Sequence, residues 1–140
     1  MRKNEIIKLA NRIGSDVILG INPSNSILSS NGVIKKFKKK IHLYALIVKP
    51  NFGCSTSFIY SKIKKFSKSQ FNCPKKMMFN IEYLKNLNND LEEVVFKKYP
   101  NLKKIKLSLM NTPNSKFVRM SGSGSSIVAY FQSKKACVDA

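Results

Sequence analysis

Lys116-Phe117-Val118-Arg119-Met120-Ser121-Gly122-Ser123-Gly124-Ser125-Ser126-Ile127-Val128-Ala129-Tyr130-Phe131 holds two apolar runs separated by six small residues. β-Branched and aromatic side chains fill the runs, and Gly and Ser fill the gap, so the spacing predicts strands over 116–120 and 127–131. Two glycines alternating with hydroxyl residues in Ser121-Gly122-Ser123-Gly124-Ser125 let backbone N–H groups turn toward one point, where phosphate is the natural occupant. A tight hairpin would use the same residues. Both readings stand at this point.

Beyond the second strand, Ser133 is a suitable cap for a helix starting at Lys134, with only a turn or two before Ala140. Before the first strand, Leu102, Ile105, Leu107, Leu109 and Met110 predict a helical stretch ending at Asn111, with Pro100 stopping the helix that precedes it. Asn88-Asn89-Asp90-Leu91-Glu92-Glu93 reads as a helix start, with an Asn cap and acids in the first turn; Leu91, Val94, Val95 and Tyr99 form its inner face. A helix begins near Asn80, and 64–78 reads as an irregular surface connection. Ser55 or Thr56 caps a helix carrying Phe58, Ile59, Ile63 and Phe66. The stretch 42–49, consecutively apolar from Leu43 to Val48, predicts a strand buried on both faces and ended by Pro50. Nearer the start, short strands are expected at 17–19, 26–28 and 32–34, after a helix over 3–12 that stops at Gly14. No internal repeat is present.

The 140 residues are 43% hydrophobic and 24% charged, enough for about one domain with a buried core. The net charge is +19, from 26 Lys and Arg against 7 Asp and Glu. Arg2, Arg12 and Arg119 are the only arginines, and the lysines come with many Asn, Ile, Phe and Ser. That mixture is the signature of A/T-rich codons rather than of a phosphate-gripping surface, which favours Arg and interleaved aromatics. Nucleic acid is therefore not the expected partner, and a small basic RNA-binding module is the alternative reading. The run Lys35-Lys36-Phe37-Lys38-Lys39-Lys40 reads as a solvated strand edge.

Cys54, Cys73 and Cys137 are odd in number, and widely spaced, without a CxxC pair. They indicate neither a disulfide framework nor a zinc site, and fit a reducing cytoplasm. His42 is the only histidine, so no histidine metal cluster can form. No signal peptide and no membrane-spanning run is read.

Two further groups could carry chemistry. Asp16, just past the first helix, could orient or deprotonate an alcohol, or serve simply as a turn residue. Thr56, Ser57 and Tyr60 offer hydroxyls and a flat ring for a base to stack on, or an ordinary cap with a core aromatic.

In order along the chain, these segments resemble the 4-diphosphocytidyl-2-C-methyl-D-erythritol kinases of the GHMP kinase superfamily. Leu9-Ala10 with Ile13-Gly14-Ser15-Asp16-Val17 is similar to the family's LA…GSDVP segment, and 50–60 to its P…ST…Y/F segment. Asn89-Asp90-Leu91-Glu92 with Tyr99-Pro100 resembles NDLE…YP, and Arg119 to Ser125 resembles RMSGSGS. Ile18 stands where the family has proline, and 19–35 matches loosely.

The resemblance implies an α/β fold of the two-layer α+β kind, with a remnant of the ATP domain at 1–39 and the substrate domain at 40–140, its last helix cut. It implies transfer of the ATP γ-phosphate to the 2-hydroxyl of 4-diphosphocytidyl-methylerythritol in isoprenoid biosynthesis, with Mg²⁺. Asp16 falls on the catalytic aspartate, Tyr60 on the aromatic that stacks on cytosine, with Thr56 and Ser57 beside it. Ser121, Gly122, Ser123, Gly124 and Ser125 fall on the motif near the phosphates. The family's lysine partner of the aspartate and its GLGGGSSNA-type loop have no counterpart here, so a fragment inactive by itself, with exposed apolar surface, is expected.

Overall fold

The structure, a computed structural model, describes residues 3–14, 16–21, 24–29, 32–38 and 41–140. They group into two compact units, 1–41 with 69–80, and 42–68 with 81–140.

In the first unit, helix α1 (Lys3–Ile13) carries Glu5 in its first turn and Arg12 in its last, each placed favourably for the helix dipole. Ala10 is buried, and its carbonyl accepts from Gly14 N at 3.1 Å. The stretch expected as a strand at 17–19 is instead a second helix, α2 (Val17–Ile21), packed on α1. A short apolar run does not distinguish the two states by composition. Here Ile18, Leu19 and Ile21 face one cleft with Ile7 and Ile34, which helical spacing achieves and alternation would not.

Strands β1 (Ser26–Leu28) and β2 (Ile34–Lys36) form an antiparallel hairpin, Ile27 opposite Lys35. The second strand begins two residues later than the expected 32–34, because Gly32, at φ 80°, belongs to the turn and donates to Ser29 O. Lys35 and Lys36 are exposed on this short strand, as a solvated edge requires; Ser15, Lys39 and Lys40 lie outside the described residues. Phe37 packs on Phe79 at 4.6 Å between ring centroids, and a single 3₁₀ turn spans Lys76–Met78.

The second unit is built on a three-stranded antiparallel sheet in the order β3 (Tyr44–Val48), β5 (Ile127–Phe131), β4 (Phe117–Met120). Helix α3 (Thr56–Ser61) follows β3, and α4 (Ile81–Lys85), α5 (Leu91–Lys98) and α6 (Pro100–Met110) precede β4. The closing helix α7 (Lys134–Val138) is capped by Ser133 Oγ, which accepts from Ala136 N. Helices with small antiparallel sheets make the fold α+β.

Val118 and Met120 of β4 alternate with Ile127, Ala129 and Phe131 of β5 to face Ile59, Leu91, Val95, Leu102 and Leu109 from the helices. Each large side chain so buried stabilises the unit by roughly 1.5–3 kcal/mol before entropy is counted. The strand closed on both faces is β5, not the expected 42–49. β3 occupies the sheet edge, and its Ile47 is 64% exposed. No helix among the described residues is long and apolar enough to cross a membrane.

Candidate functional site

The Ser121–Ser126 loop joins β4 to β5 and is shaped by its own backbone: Ser121 N donates to Ser126 O and Gly124 N to Ser121 O, both at 2.9 Å. Gly122 and Gly124 sit at φ 50° and 87°, where L side chains are disfavoured. A Cβ on Gly124 would lie 3.0 Å from Cys54 Sγ and 3.2 Å from Met120 Sδ, so the close approach of the loop to the core also requires glycine. Among the described residues, the backbone N–H groups of Gly122, Ser123, Ser125 and Ser126 have no protein acceptor. Free amides in a positive-φ turn are the donors an anion needs.

Helix α3 comes to this loop. Its cap residue Ser55 accepts from Phe58 N at 3.4 Å and lies 3.2 Å from the Ser57 hydroxyl. The Thr56 and Ser123 hydroxyls share a hydrogen bond of 2.8 Å. Ser125, buried, donates to Phe52 O at 2.6 Å, which ties the far side of the loop to the segment leading into α3. Tyr60, one turn beyond Thr56, is 52% exposed, its ring 6.3 Å from that of Phe66. Thr56, Ser57 and Tyr60 thus share one short helix that touches the glycine loop. Asp16 belongs to the first unit, exposed in the turn between α1 and α2, where its carbonyl accepts from Leu19 N at 3.1 Å.

Three residues in this region do more than their local sequence suggests. Asn89 accepts from Leu91 N through Oδ1, as a helix cap should, but its Nδ2 also donates to Met120 O (3.1 Å) and Gly122 O (2.8 Å). The Asn89-x-x-Glu92 spacing is that of a capping box, which would fold Glu92 back on its own helix. Instead Glu92 Oε1 accepts from Met120 N at 3.0 Å, while Oε2 pairs with Lys106 at 2.6 Å. Arg119 donates through Nη2 to Leu84 O and Leu87 O, at 2.5 and 2.7 Å, closing the end of α4. Burial pulls its guanidinium below the ordinary arginine value, and Glu92 and Tyr130 oppose that. No local pattern distinguishes these cross-chain partners.

Around the helix, Lys98 Nζ stands 3.3 Å from the centroid of Phe58, a cation–π contact on the side chain two residues before Tyr60. Among the described residues, no three His, Cys, Asp or Glu side chains converge on one point.

A family model described as GHMP kinases C terminal matches residues 63–136. The chain is also similar to proteins named 4-diphosphocytidyl-2-C-methyl-D-erythritol kinase. That of Pelagibacter ubique is 65% identical over 137 residues, covering 98% of this chain and 49% of the relative. That of Clostridium kluyveri is 33% identical over 138 residues, with 91% and 48% covered, and that of Syntrophomonas wolfei 28% over 149 residues, with 100% and 51%. The chain spans about half the length of the curated relatives it matches.

Proposed function

Because this chain belongs to the GHMP kinases and carries their C-terminal domain, we propose that it serves the phosphorylation of 4-diphosphocytidyl-2-C-methyl-D-erythritol at its 2-hydroxyl. The family implies ATP as the phosphoryl donor. The substrate oxygen bonds to the γ-phosphorus as the bond to the ADP oxygen breaks, and the hydroxyl proton passes to a base. Asp16 is that base in our reading, in the ATP-domain remnant at 1–39. Positioning and charge stabilisation supply most of the acceleration in such transfers.

In the substrate domain, 40–140, Tyr60 presents its exposed ring to the cytosine, with Thr56 and Ser57 beside it. The amides of Gly122 and Ser123 take phosphate oxygens. Mg²⁺ would be held mainly through those phosphate oxygens, as is usual for this ion, rather than by a cage of this chain's side chains. The three cysteines are free, in keeping with the cytoplasm, where we place the reaction.

The observation that carries this reading is the Thr56–Ser123 hydrogen bond, which joins the tyrosine-bearing helix to the glycine loop. Calorimetry with 4-diphosphocytidyl-methylerythritol, CDP and a generic RNA oligonucleotide at two salt concentrations tests it. Cytidine-selective binding that Tyr60→Ala abolishes is expected. Salt-dependent RNA binding without cytidine preference would replace it with the basic RNA-binding module.

A further inference from the structure

The glycine loop is held from outside by one side chain that makes three hydrogen bonds at once. Asn89 stands immediately before Asp90 and α5, and its carboxamide is fully committed. Oδ1 accepts from Leu91 N at 3.0 Å, and the two Nδ2 protons go to Met120 O at 3.1 Å and Gly122 O at 2.8 Å. The orientation of the amide is determined, because a flipped group would set Oδ1 against two carbonyl oxygens and its N–H against the Leu91 N–H.

Met120 O and Gly122 O bracket Ser121, the first residue of the loop. Holding both carbonyls fixes the Met120–Ser121 and Gly122–Ser123 peptide planes, the second of which carries the Ser123 N–H. Glu92 fixes Met120 N from the same helix. Among the described residues, the loop N–H groups left unengaged are then those of Gly122, Ser123 and Ser126, with that of the buried Ser125.

From this we infer that Asn89 is a positioning residue for phosphate binding: its Nδ2 bonds hold the stem of the glycine loop in the conformation that leaves the Gly122 and Ser123 amides free for a phosphate or diphosphate group. It rests on the phosphate reading of the loop given above. The residue acts through the loop backbone and touches no substrate itself. Its two functions separate by chemistry, because Oδ1 caps α5 while Nδ2 holds the loop.

Asn89→Asp separates them. Aspartate keeps the acceptor that caps Leu91 N and is as good a helix cap as asparagine, but replaces the donor with a second oxygen facing two carbonyls. The full chain and this variant, with Asn89→Ala for comparison, are compared by amide NMR and by calorimetry with inorganic pyrophosphate. In Asn89→Asp the Gly122 and Gly124 amide resonances are expected to move, with hydrogen-exchange protection of Leu91 retained, and pyrophosphate affinity to fall about tenfold. Asn89→Ala is expected to lose the Leu91 protection as well. Unmoved glycine resonances in Asn89→Asp, or unchanged affinity despite moved resonances, would overturn the inference. If the unaltered chain binds no pyrophosphate, the phosphate reading fails and the inference with it, and the glycine resonances report only whether Asn89 shapes the loop.

Discussion

Thr56 and Ser123 stand 67 positions apart in the chain and share a hydrogen bond of 2.8 Å between their hydroxyls. The contact makes one surface out of a helix that offers an aromatic ring and a loop that offers backbone amides. It is exposed, so its energetic contribution is small and its geometric one larger. A double-mutant cycle with Thr56→Val and Ser123→Ala is expected to give a coupling of about 0.5–1 kcal/mol in chemical denaturation. A coupling of zero would mean that the two hydroxyls do not meet in solution.

The two loop glycines separate dihedral strain from crowding. Gly122→Ala places a methyl in open space at φ 50° and is expected to cost about 1 kcal/mol, the left-handed penalty alone. Gly124→Ala adds crowding against Cys54 Sγ and Met120 Sδ to a similar penalty, and is expected to cost roughly 2–4 kcal/mol. Equal melting temperatures for the two variants would contradict the close approach of the loop to the core.

Glu92 links three elements: its own helix α5, Lys106 of α6 and Met120 N at the end of β4. Glu92→Gln keeps an acceptor for Met120 N and loses the ion pair, at an expected cost of about 1 kcal/mol. Glu92→Leu leaves both partners unpaired in a half-buried place and is expected to cost about 2–3 kcal/mol. Urea denaturation of both variants measures the difference.

Arg119→Met removes the donor shared by Leu84 O and Leu87 O, and is expected to destabilise by about 1–3 kcal/mol. Faster amide exchange should be confined at first to 81–87. Arg119→Lys restores at most part of this, since an ammonium lacks the planar fork that reaches both carbonyls.

Cys54 supplies a pH dependence. Burial pushes its thiol above the ordinary value, against the pull of nearby Lys98. The folded chain thus keeps a proton that the unfolded chain releases once pH passes the unfolded thiol value. The associated stability is whole below about pH 8.5 and is lost as pH rises through that region. Thermal unfolding between about pH 8 and 10 is expected to show a steeper alkaline decline for the natural chain than for Cys54→Ala. The exposed Cys73 should react with a thiol reagent well before Cys54.

The strands flanking the glycine loop were legible because alternation and small-residue punctuation act within a few residues; 127–131 is a strand to the residue, and β4 starts one residue inside the expected 116–120. Helix starts at 56, 91 and 134 were legible for the same reason, since Ser55, Asn89 and Ser133 cap through their immediate neighbours. The run at 17–19 is not legible as a helix because so short an apolar run satisfies either period, and packing on α1 selects the helix. The burial of 42–49 is not legible because six consecutive apolar residues, Leu43 to Val48, do not say which strand will stand at the edge.

Asn89, Glu92 and Arg119 mark the same boundary inside the candidate site. Their identities and local roles are written in the sequence, as a cap, a first-turn acid and a strand residue. Hydrogen-bond partners 28 to 35 residues away are not, because such contacts depend on how β4 and the helices come together. The sequence by itself determined most of the elements, the anion-suited composition of the loop and the family it resembles, all of which follow from short-range steric and hydrogen-bonding preferences. Only the tertiary structure decided that β5 is the buried strand, that the Thr56 hydroxyl meets Ser123 and that Asn89 holds the loop, since these require chain segments distant in sequence to share one packed core.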